Sequence, residues 1–477
     1  MIDLSYLLWP GAGLGFTSAV SQGWLLFTLL LWLLALLYSL SSQQQDPRAG
    51  RYWLFMLLCF AGNVLLIAAQ DALSFYLGFS MMSLAGTGLV LHSGTKQARR
   101  AGRLYLQLAV IGELLLFSAL VLRASAAGGL YDWQSWQNVP LDHLTISLFV
   151  LGLGLKAGFF PLHLWLPQAH PVAPAAASAV LSGAMIKAGI FGMWLFLPAT
   201  DPLLQQWGQG VLWLGFVSAI FGALAALCQQ KSKQILAYSS VSQMGYLLML
   251  LSLSWLLPPA QQSLALIALV GYAAHHAFAK GALFLLAGSA SRYRFGTGDQ
   301  LLLGFFIVSL AALPFTSGAM AKTALKQTTA ALPLPLPAAN LLYLGALCTA
   351  LALCHLLMRL KAEQLALLSQ TSASNMPWLQ RGPVLLLAVA AVLLSWSGVM
   401  PASASVWLPL GITSYTSLSL QALTAAAIWA AIWPLLMALP TYYLLQRFAG
   451  SWLLQLGRRQ RWVFFTSLKL KRLYQPL

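Results

Sequence analysis

Residues 151–187 read LGLGLKAGFFPLHLWLPQAHPVAPAAASAVLSGAMIK, a segment apolar enough for a lipid bilayer that still contains two lysines and two histidines. The lysines are Lys156 and Lys187, and Pro161 and Pro167 lie between them. Non-helical backbone at membrane depth is tolerated only where protein buries it or where it lines a wet cavity. The segment therefore predicts a broken helix, and a break beside buried charge indicates an ion path. The alternative is a proline kink with no functional role.

The composition of the whole chain is typical of membrane proteins. Of its 477 residues, 60% are hydrophobic and 7% are charged, and a soluble domain could not bury that much apolar surface. A bilayer core of about 30 Å is crossed by a helix of about 20 apolar residues. We therefore predict an all-α polytopic membrane protein with about thirteen transmembrane helices. The candidate spans are 22–40, 52–69, 72–92, 104–123, 145–165, 176–197, 209–228, 235–256, 263–289, 300–329, 337–358, 382–399 and 421–446.

Basic residues predict the orientation of these spans. The formal net charge is +17, from 26 Lys and Arg against 9 Asp and Glu. The positive residues lie mostly between apolar runs, as the positive-inside rule expects for cytoplasmic loops, so no nucleic-acid partner is needed to explain them. Thirteen crossings place all basic clusters on one side and the segment 124–144 on the other. This predicts an N-terminus outside and a C-terminus in the cytoplasm, in the inner (plasma) membrane. The clusters are Arg48/Arg51, Lys96/Arg99/Arg100/Arg103, Lys231/Lys233, Arg292/Arg294, Arg359/Lys361/Arg381 and the tail from Arg447 to Arg472.

Two further features concern processing and cofactors. The run 22–40 lacks a basic leader and a small-residue cleavage site, so we expect a retained helix and not a secretory signal. The four cysteines form no CxxC pair and no His/Cys cluster, which predicts neither disulfides nor a metal site. The sequence also lacks haem-type histidine pairs and a Gly-rich phosphate loop. We therefore expect no cofactor, no metal and no redox chemistry in this chain.

A few ionisable residues lie inside the apolar runs. A lysine at the centre of a membrane helix costs about 2.5–3.5 kcal/mol on insertion scales, so several together require a reason. A helix-end lysine that reaches the interface, or a pair that locks two helices together, is the structural alternative. The candidates for a proton relay are Glu113, Lys156, Lys187, His276, Lys280 and Lys322.

The run YAAHHAFAKGALFLLAGS places three polar side chains on one predicted helix face. Tyr272, His276 and Lys280 follow each other at i, i+4 and i+8, a spacing that aligns them along a helix. A lone histidine there would more often be a core residue. Between a tyrosine and a lysine, His276 is suited to a relay, because its unperturbed pKa near 6.5 lets an imidazole hold or release a proton.

Four motifs in one order resemble a known family. They are KAGFFPLHLWLPQAHPVAPAAASAVLSGAMIKAGIFG, KQILAYSSVSQMGYLLML, HHAFAKGALFLLAGS and LPFTSGAMAK. Together they resemble the antiporter-like proton-conducting subunits of respiratory complex I, Mrp-type cation/proton antiporters and membrane-bound hydrogenases. The form PLHLWLPQAHPVAP…SGAMIK is most similar to the large antiporter-like subunit of formate hydrogenlyase-type hydrogenases. The resemblance covers roughly residues 52 to 330.

The resemblance implies two inverted five-helix repeats, each with a broken helix, and a chain of buried lysines and water near the membrane midplane. The first repeat would occupy 52–197 and the second 209–358. The N-terminal segment with the first helix would be 1–51, and further helices would occupy 382–446. We expect the tail 447–477, which mixes aromatic and basic residues, to lie on anionic lipid, with partner docking as the alternative.

The same resemblance implies a role for each buried residue. Lys156 matches the lysine of the first broken helix, and Lys187 matches the lysine of the next helix. Lys280 with His276 matches the connecting site, and Lys322 matches the terminal lysine or glutamate of the second broken helix. The candidate supporting residues are Ser80, His163, Tyr272 and Ser182.

This sequence departs from the family pattern at several positions. A glutamate that normally follows a tryptophan is absent, and YLGFSMMSLAG places Phe79 and Ser80 there. Glu113, one helix later, is our candidate for the substitute partner of Lys156. Ser182 replaces a common histidine, as in the hydrogenase-type branch. Two family helices are expected to be missing before residue 22, and the role of residues 1–20 is not indicated.

The predicted function is a proton-translocating, or cation/proton-exchanging, subunit of a larger energy-coupling complex. Its expected partners are other membrane and soluble subunits, the lipid bilayer, and H⁺ or Na⁺. One alternative is the energy-coupling membrane subunit of an inorganic-carbon uptake system, whose members carry a Ser-containing stretch similar to FSMMSLAG. Another is a scaffold whose lysines lock helices and which conducts nothing.

Overall fold

The structure of the protein is a computed structural model that describes residues 2, 3, 5, 6, 9, 11–137, 139–332, 338–370, 373–396 and 424–467. Apart from a two-stranded hairpin, its regular structure is helical. The helices are α1 Ala19–Ser42, α2 Ala49–Ala68, α3 Ala72–Val90, α4 Lys96–Ala126, α5 Trp133–Gln137, α6 His143–Ala157, α7 Leu166–Ala169, α8 Ala175–Val180, a π-helical turn Leu181–Met185, α9 Lys187–Phe196, α10 Leu203–Leu227, α11 Ser232–Leu256, α12 Pro259–Ala290, α13 Thr297–Leu310, α14 Ser317–Ala330, α15 Ala338–Gln370, α16 Trp378–Trp396 and α17 Ala425–Ser467.

Within these described residues, 11 helices are long and apolar enough to cross a membrane. The helix α8, the π-helical turn and α9 form one of them, Ala175–Phe196. Two shorter apolar helices, α6 and α13, are each followed by a break and a second helical piece. The all-α polytopic fold is therefore confirmed. The count of about thirteen spans and the inverted repeats stay predictions, and residues 337, 397–399 and 421–423 of the predicted spans lie outside the described residues.

Both predicted breaks are present. The first follows Ala157, where Gly158 adopts a left-handed conformation with φ of 69° and its amide donates to the Gly154 carbonyl. The indole of Trp165 then donates to the Leu155 carbonyl at 2.7 Å, which fastens the turn to the end of α6. In the second break, Ala312 and Phe315 have φ of 67° and 65°, values that are sterically unfavourable for residues with a Cβ.

The helix α12 lies at the centre of the bundle, since its membrane window is 100% buried inside the protein. It packs against α8, α11, α14 and α16. By contrast, α4 and α17 are peripheral, with 33% and 11% of their windows buried. The last helix, α17, continues without interruption to Ser467, so the beginning of the basic tail extends it. Residues 468–477 of that tail lie outside the described residues, and its placement on lipid stays a prediction.

The N-terminal residues form a small structural cap. Strand β1 (Ile2–Asp3) pairs antiparallel with β2 (Gly13–Leu14). The fully buried Asp71 carboxylate accepts hydrogen bonds from the Trp9 indole at 3.0 Å and the Gly13 amide at 3.2 Å. The same carboxylate caps the start of α3 through the Ser74 amide and hydroxyl. Residues 2–14 are therefore fastened to the start of α3 on the side predicted to lie outside.

Candidate functional site

Lys156 occupies the last turn of α6, directly before the first break. Its side chain is buried, and its ammonium nitrogen lies 3.2 Å from the Tyr105 hydroxyl on α4. The same nitrogen lies 5.9 Å from the ring centroid of Phe79 and 5.6 Å from that of Tyr105. Aromatic rings within about 6 Å attract a cation. The ring of Phe79 thus contacts the charge that a glutamate contacts in the family pattern.

Glu113 approaches Lys156 from α4 without forming a direct ion pair with it. Its residue is 7% exposed, and its Oε1 atom is buried without a hydrogen-bond partner. The carboxyl group lies within electrostatic range of the Lys156 ammonium and next to the Ser80 hydroxyl. Position 80 and position 113 therefore face the same space, which supports the interpretation of Glu113 as a substitute acid.

A cavity of about 20 Å³ lies between α3, α4 and α6. Its lining includes Phe79, Tyr105, Lys156 and Trp165. Roughly 10–15 Å³ suffices for one water molecule, provided that polar groups surround it. The ammonium of Lys156 and the hydroxyl of Tyr105 are such groups, so the cavity can hold a water molecule beside the lysine.

Lys187 begins α9, directly after the π-helical turn. A π-helical turn interrupts the regular i−4 hydrogen-bond pattern, and such turns are frequent at functional sites. Here the fully buried Lys187 ammonium donates to the Gly183 carbonyl at 2.6 Å and to the Ser182 carbonyl at 3.3 Å. The turn therefore supplies the polar groups that a buried lysine needs.

Hydroxyl groups connect this turn to Lys280. The Ser182 hydroxyl lies 2.8 Å from the Ser240 hydroxyl on α11, and Ser240 donates to the Leu236 carbonyl at 3.0 Å. The Lys280 ammonium, on α12, donates to the same carbonyl at 2.9 Å. All of these polar side chains are fully buried. Ser182 thus lies between Lys187 and Lys280, as a supporting residue of a relay would.

His276 lies between the same two lysines, whereas Tyr272 faces elsewhere. The His276 imidazole is fully buried, neither ring nitrogen has a hydrogen-bond partner, and Lys187 and Lys280 are within electrostatic range. Tyr272 donates to the Gln243 side chain on α11 at 2.8 Å. Since α12 is buried on every side, its i, i+4 and i+8 spacing did not by itself identify the partner of each residue.

Two predicted residues lie farther from this cluster. Lys322, on α14, has a buried ammonium nitrogen without a hydrogen-bond partner. Its charged neighbour Lys326 lies 4.5 Å from the ring centroid of Tyr343. In the first break, the His163 ring packs against Phe221 with centroids 5.0 Å apart, and its Nδ1 atom is buried without a partner.

Three polar residues of this site were not predicted, because hydroxyl groups and a second histidine stand out less in an apolar run than lysines do. They are Tyr105, which contacts Lys156, Ser240, which contacts Ser182, and His275, which is described below. His275 stands beside His276 in the motif HHAFAKGALFLLAGS, and that pairing was the available signal. Within the described residues, no group of three His, Cys, Asp or Glu side chains is placed to hold a metal ion.

Comparison with known proteins identifies relatives of the same kind. Over 276 residues the chain is 36% identical to hydrogenase-4 component B of Escherichia coli, covering 54% of this chain and 40% of that protein. It is 27% identical to a Na(+)/H(+) antiporter protein of Alkalihalophilus pseudofirmus over 312 residues, covering 60% of each. It is 27% identical to NADH-quinone oxidoreductase subunit N of Ectopseudomonas mendocina, covering 57% of this chain and 58% of that protein. The chain thus matches less than two thirds of the length of each relative.

Solved structures share the fold. A chain of the Mrp complex from Dietzia superposes with a TM-score of 0.68 at 20% identity, covering 87% of this chain and 85% of that one. A chain of the archaeal membrane-bound sulfane sulfur reductase gives a TM-score of 0.64 at 23% identity, covering 79% and 64%. The family described as "NADH:quinone oxidoreductase/Mrp antiporter, TM" matches residues 69–335, which is more than half of the chain. The chain is therefore a member of this family of antiporter-like membrane proteins.

Proposed function

We propose that this protein moves protons across the membrane, or exchanges a cation for protons, through its buried lysines. The observation that supports this most directly is the hydrogen-bonded connection from Lys187 to Lys280 through Ser182, Ser240 and the Leu236 carbonyl. A pair of lysines that only locked helices together would need no row of hydroxyl groups between them.

The proposed path has three parts. Lys156, with Tyr105 and the neighbouring acid Glu113, forms the first part at the first broken helix. Lys187, His276 and Lys280 form the second part in the middle of the bundle, and Lys322 forms the third at the second broken helix. Burial disfavours the charged form of an amine and a nearby carboxylate favours it. Movement of a partner group can therefore load or unload each amine.

We also propose that the protein works as one subunit of a larger energy-coupling complex in the inner membrane, with its C-terminus in the cytoplasm. The relatives support this, because the names of all three describe a component or a subunit of a hydrogenase, an antiporter or an oxidoreductase. Purification under mild detergent, followed by identification of the proteins that remain bound, tests this part. Recovery of the chain without other subunits would contradict it.

Ion movement is tested with the purified chain in proteoliposomes that enclose a pH-sensitive dye. A potassium diffusion potential drives protons inward, and the measurement is repeated with an imposed sodium gradient. Lys156→Ala and Lys280→Ala should abolish the flux, whereas Lys96→Ala, at an exposed position in the first turn of α4, should retain it. Normal flux in either buried-lysine variant would refute the relay. No flux of either ion in the wild-type protein would favour the scaffold.

A further inference from the structure

The two adjacent histidines of α12 face different parts of the protein. His276 lies between Lys187 and Lys280. His275, which is 2% exposed, points to the second broken helix, where its Nδ1 atom lies 2.9 Å from the Ser317 hydroxyl. Ser317 is the first residue of α14, and its hydroxyl lies 3.3 Å from that of Ser309 in α13. His275 therefore contacts the side chains that flank the break at 311–316.

The backbone around Ser317 brings this break close to α12. A Cβ atom on Gly318 would lie 3.0 Å from the His275 ring and within overlap distance of the Ser309 carbonyl. Only glycine permits so close an approach. The charged or titratable groups that face His275 are Lys322 on α14, Lys187 on α9 and the neighbouring His276. The His275 ring thus lies between the middle and the last part of the proposed path.

We propose that His275 carries protons between the Lys187–His276 pair and Lys322, with Ser317 holding its ring in position. This assignment rests on the proposed function and adds a residue to it. An imidazole can accept a proton on one nitrogen and release the proton of the other. A proton that arrives at Nε2 lets the Nδ1 proton pass to the Ser317 hydroxyl, which releases its own proton toward Lys322. Atoms and charge balance, and no co-reactant is required.

The test uses His275→Gln in the full-length protein, reconstituted in the same proteoliposomes. Glutamine can keep a hydrogen bond to Ser317 but cannot carry a proton. Because a positioned acid–base group contributes roughly 10²–10⁴-fold to a proton transfer, we expect proton flux to fall about 100-fold. The matched control is His355→Gln, since His355 on α15 is also buried and bonded through both ring nitrogens, to Tyr442 and to the Gln229 carbonyl. This control should retain wild-type flux.

A second pair of variants tests the positioning role independently of the imidazole. Ser317→Ala removes the hydroxyl and should reduce flux, whereas Ser317→Thr retains it and should restore flux. This pair also decides the matter if His275→Gln does not fold, as judged by size-exclusion chromatography and thermal unfolding. Wild-type flux in His275→Gln, or in Ser317→Ala, overturns the assignment while leaving the proposed function intact. Absence of flux in the wild-type protein overturns both.

Discussion

Gly189→Ala is expected to separate two helices that carry relay lysines. Gly189 lies on α9, two residues after Lys187, and it packs against the last turn of α6, which carries Lys156. A Cβ atom at this position would lie 2.3 Å from the Leu153 carbonyl oxygen and 2.8 Å from the Ala157 nitrogen. Both are backbone atoms, so no side-chain rotation can relieve the contact.

The size of the displacement follows from these distances. Ordinary contact of a Cβ atom begins near 3.4 Å, so α6 and α9 must move apart by about 1 Å at this point. Overpacking of this kind costs about 1–3 kcal/mol of stability. A misplacement of about 1 Å between reacting groups can reduce a rate about 100-fold. We therefore expect a folded variant that is modestly less stable and has about one hundredth of the wild-type flux.

The assay is proton flux in proteoliposomes, measured together with the thermal unfolding midpoint in detergent. Gly210→Ala on α10 is the matched control, because a Cβ atom there meets nothing within 4 Å. The control should retain both flux and midpoint. If Gly189→Ala conducts as well as Gly210→Ala, the close packing of α6 and α9 does not position the lysines, and the reasoning is refuted.

Three further predictions concern the substitute acid, a buried ion pair and the orientation. Glu113→Gln should reduce flux, because Lys156 loses the carboxylate that favours its charged form, and Ser80→Glu should restore flux at least partly; a well-folded double variant without recovery would contradict this. Asp299→Asn should lower stability by about 1.5–3 kcal/mol, seen as a lower unfolding midpoint, since the fully buried carboxylate accepts two bonds from Arg381 at 2.7 and 3.0 Å; an unchanged midpoint would show the pair to be dispensable. Reporter fusions test the orientation, and any cytoplasmic reporter found outside would require a new assignment of spans. The fusions expected to report the cytoplasm follow Arg100, Lys233, Arg294 and Arg459.

The sequence by itself determined the class of the protein and the position of its breaks. Hydropathy acts residue by residue, because each apolar side chain gains from the bilayer wherever the helix is placed. The prolines and glycines of LPFTSGAMAK and KAGFFPLHLWLP limit the backbone locally, so both breaks occur where these motifs lie. Buried lysines also stand out in a sequence, because charge in an apolar run is rare and costly.

Only the tertiary structure decided which groups these charges contact. Tyr105 and not Glu113 contacts Lys156 directly, Ser240 joins Ser182 to the carbonyl that Lys280 uses, and His275 faces α14 while His276 does not. The physical reason is that a hydroxyl group inside a helix can bond to a carbonyl of its own preceding turn, as Ser240 does with Leu236. It therefore leaves little trace in hydropathy. Its partner on another helix depends on the contact and register between helices, and these are set by packing across the whole bundle.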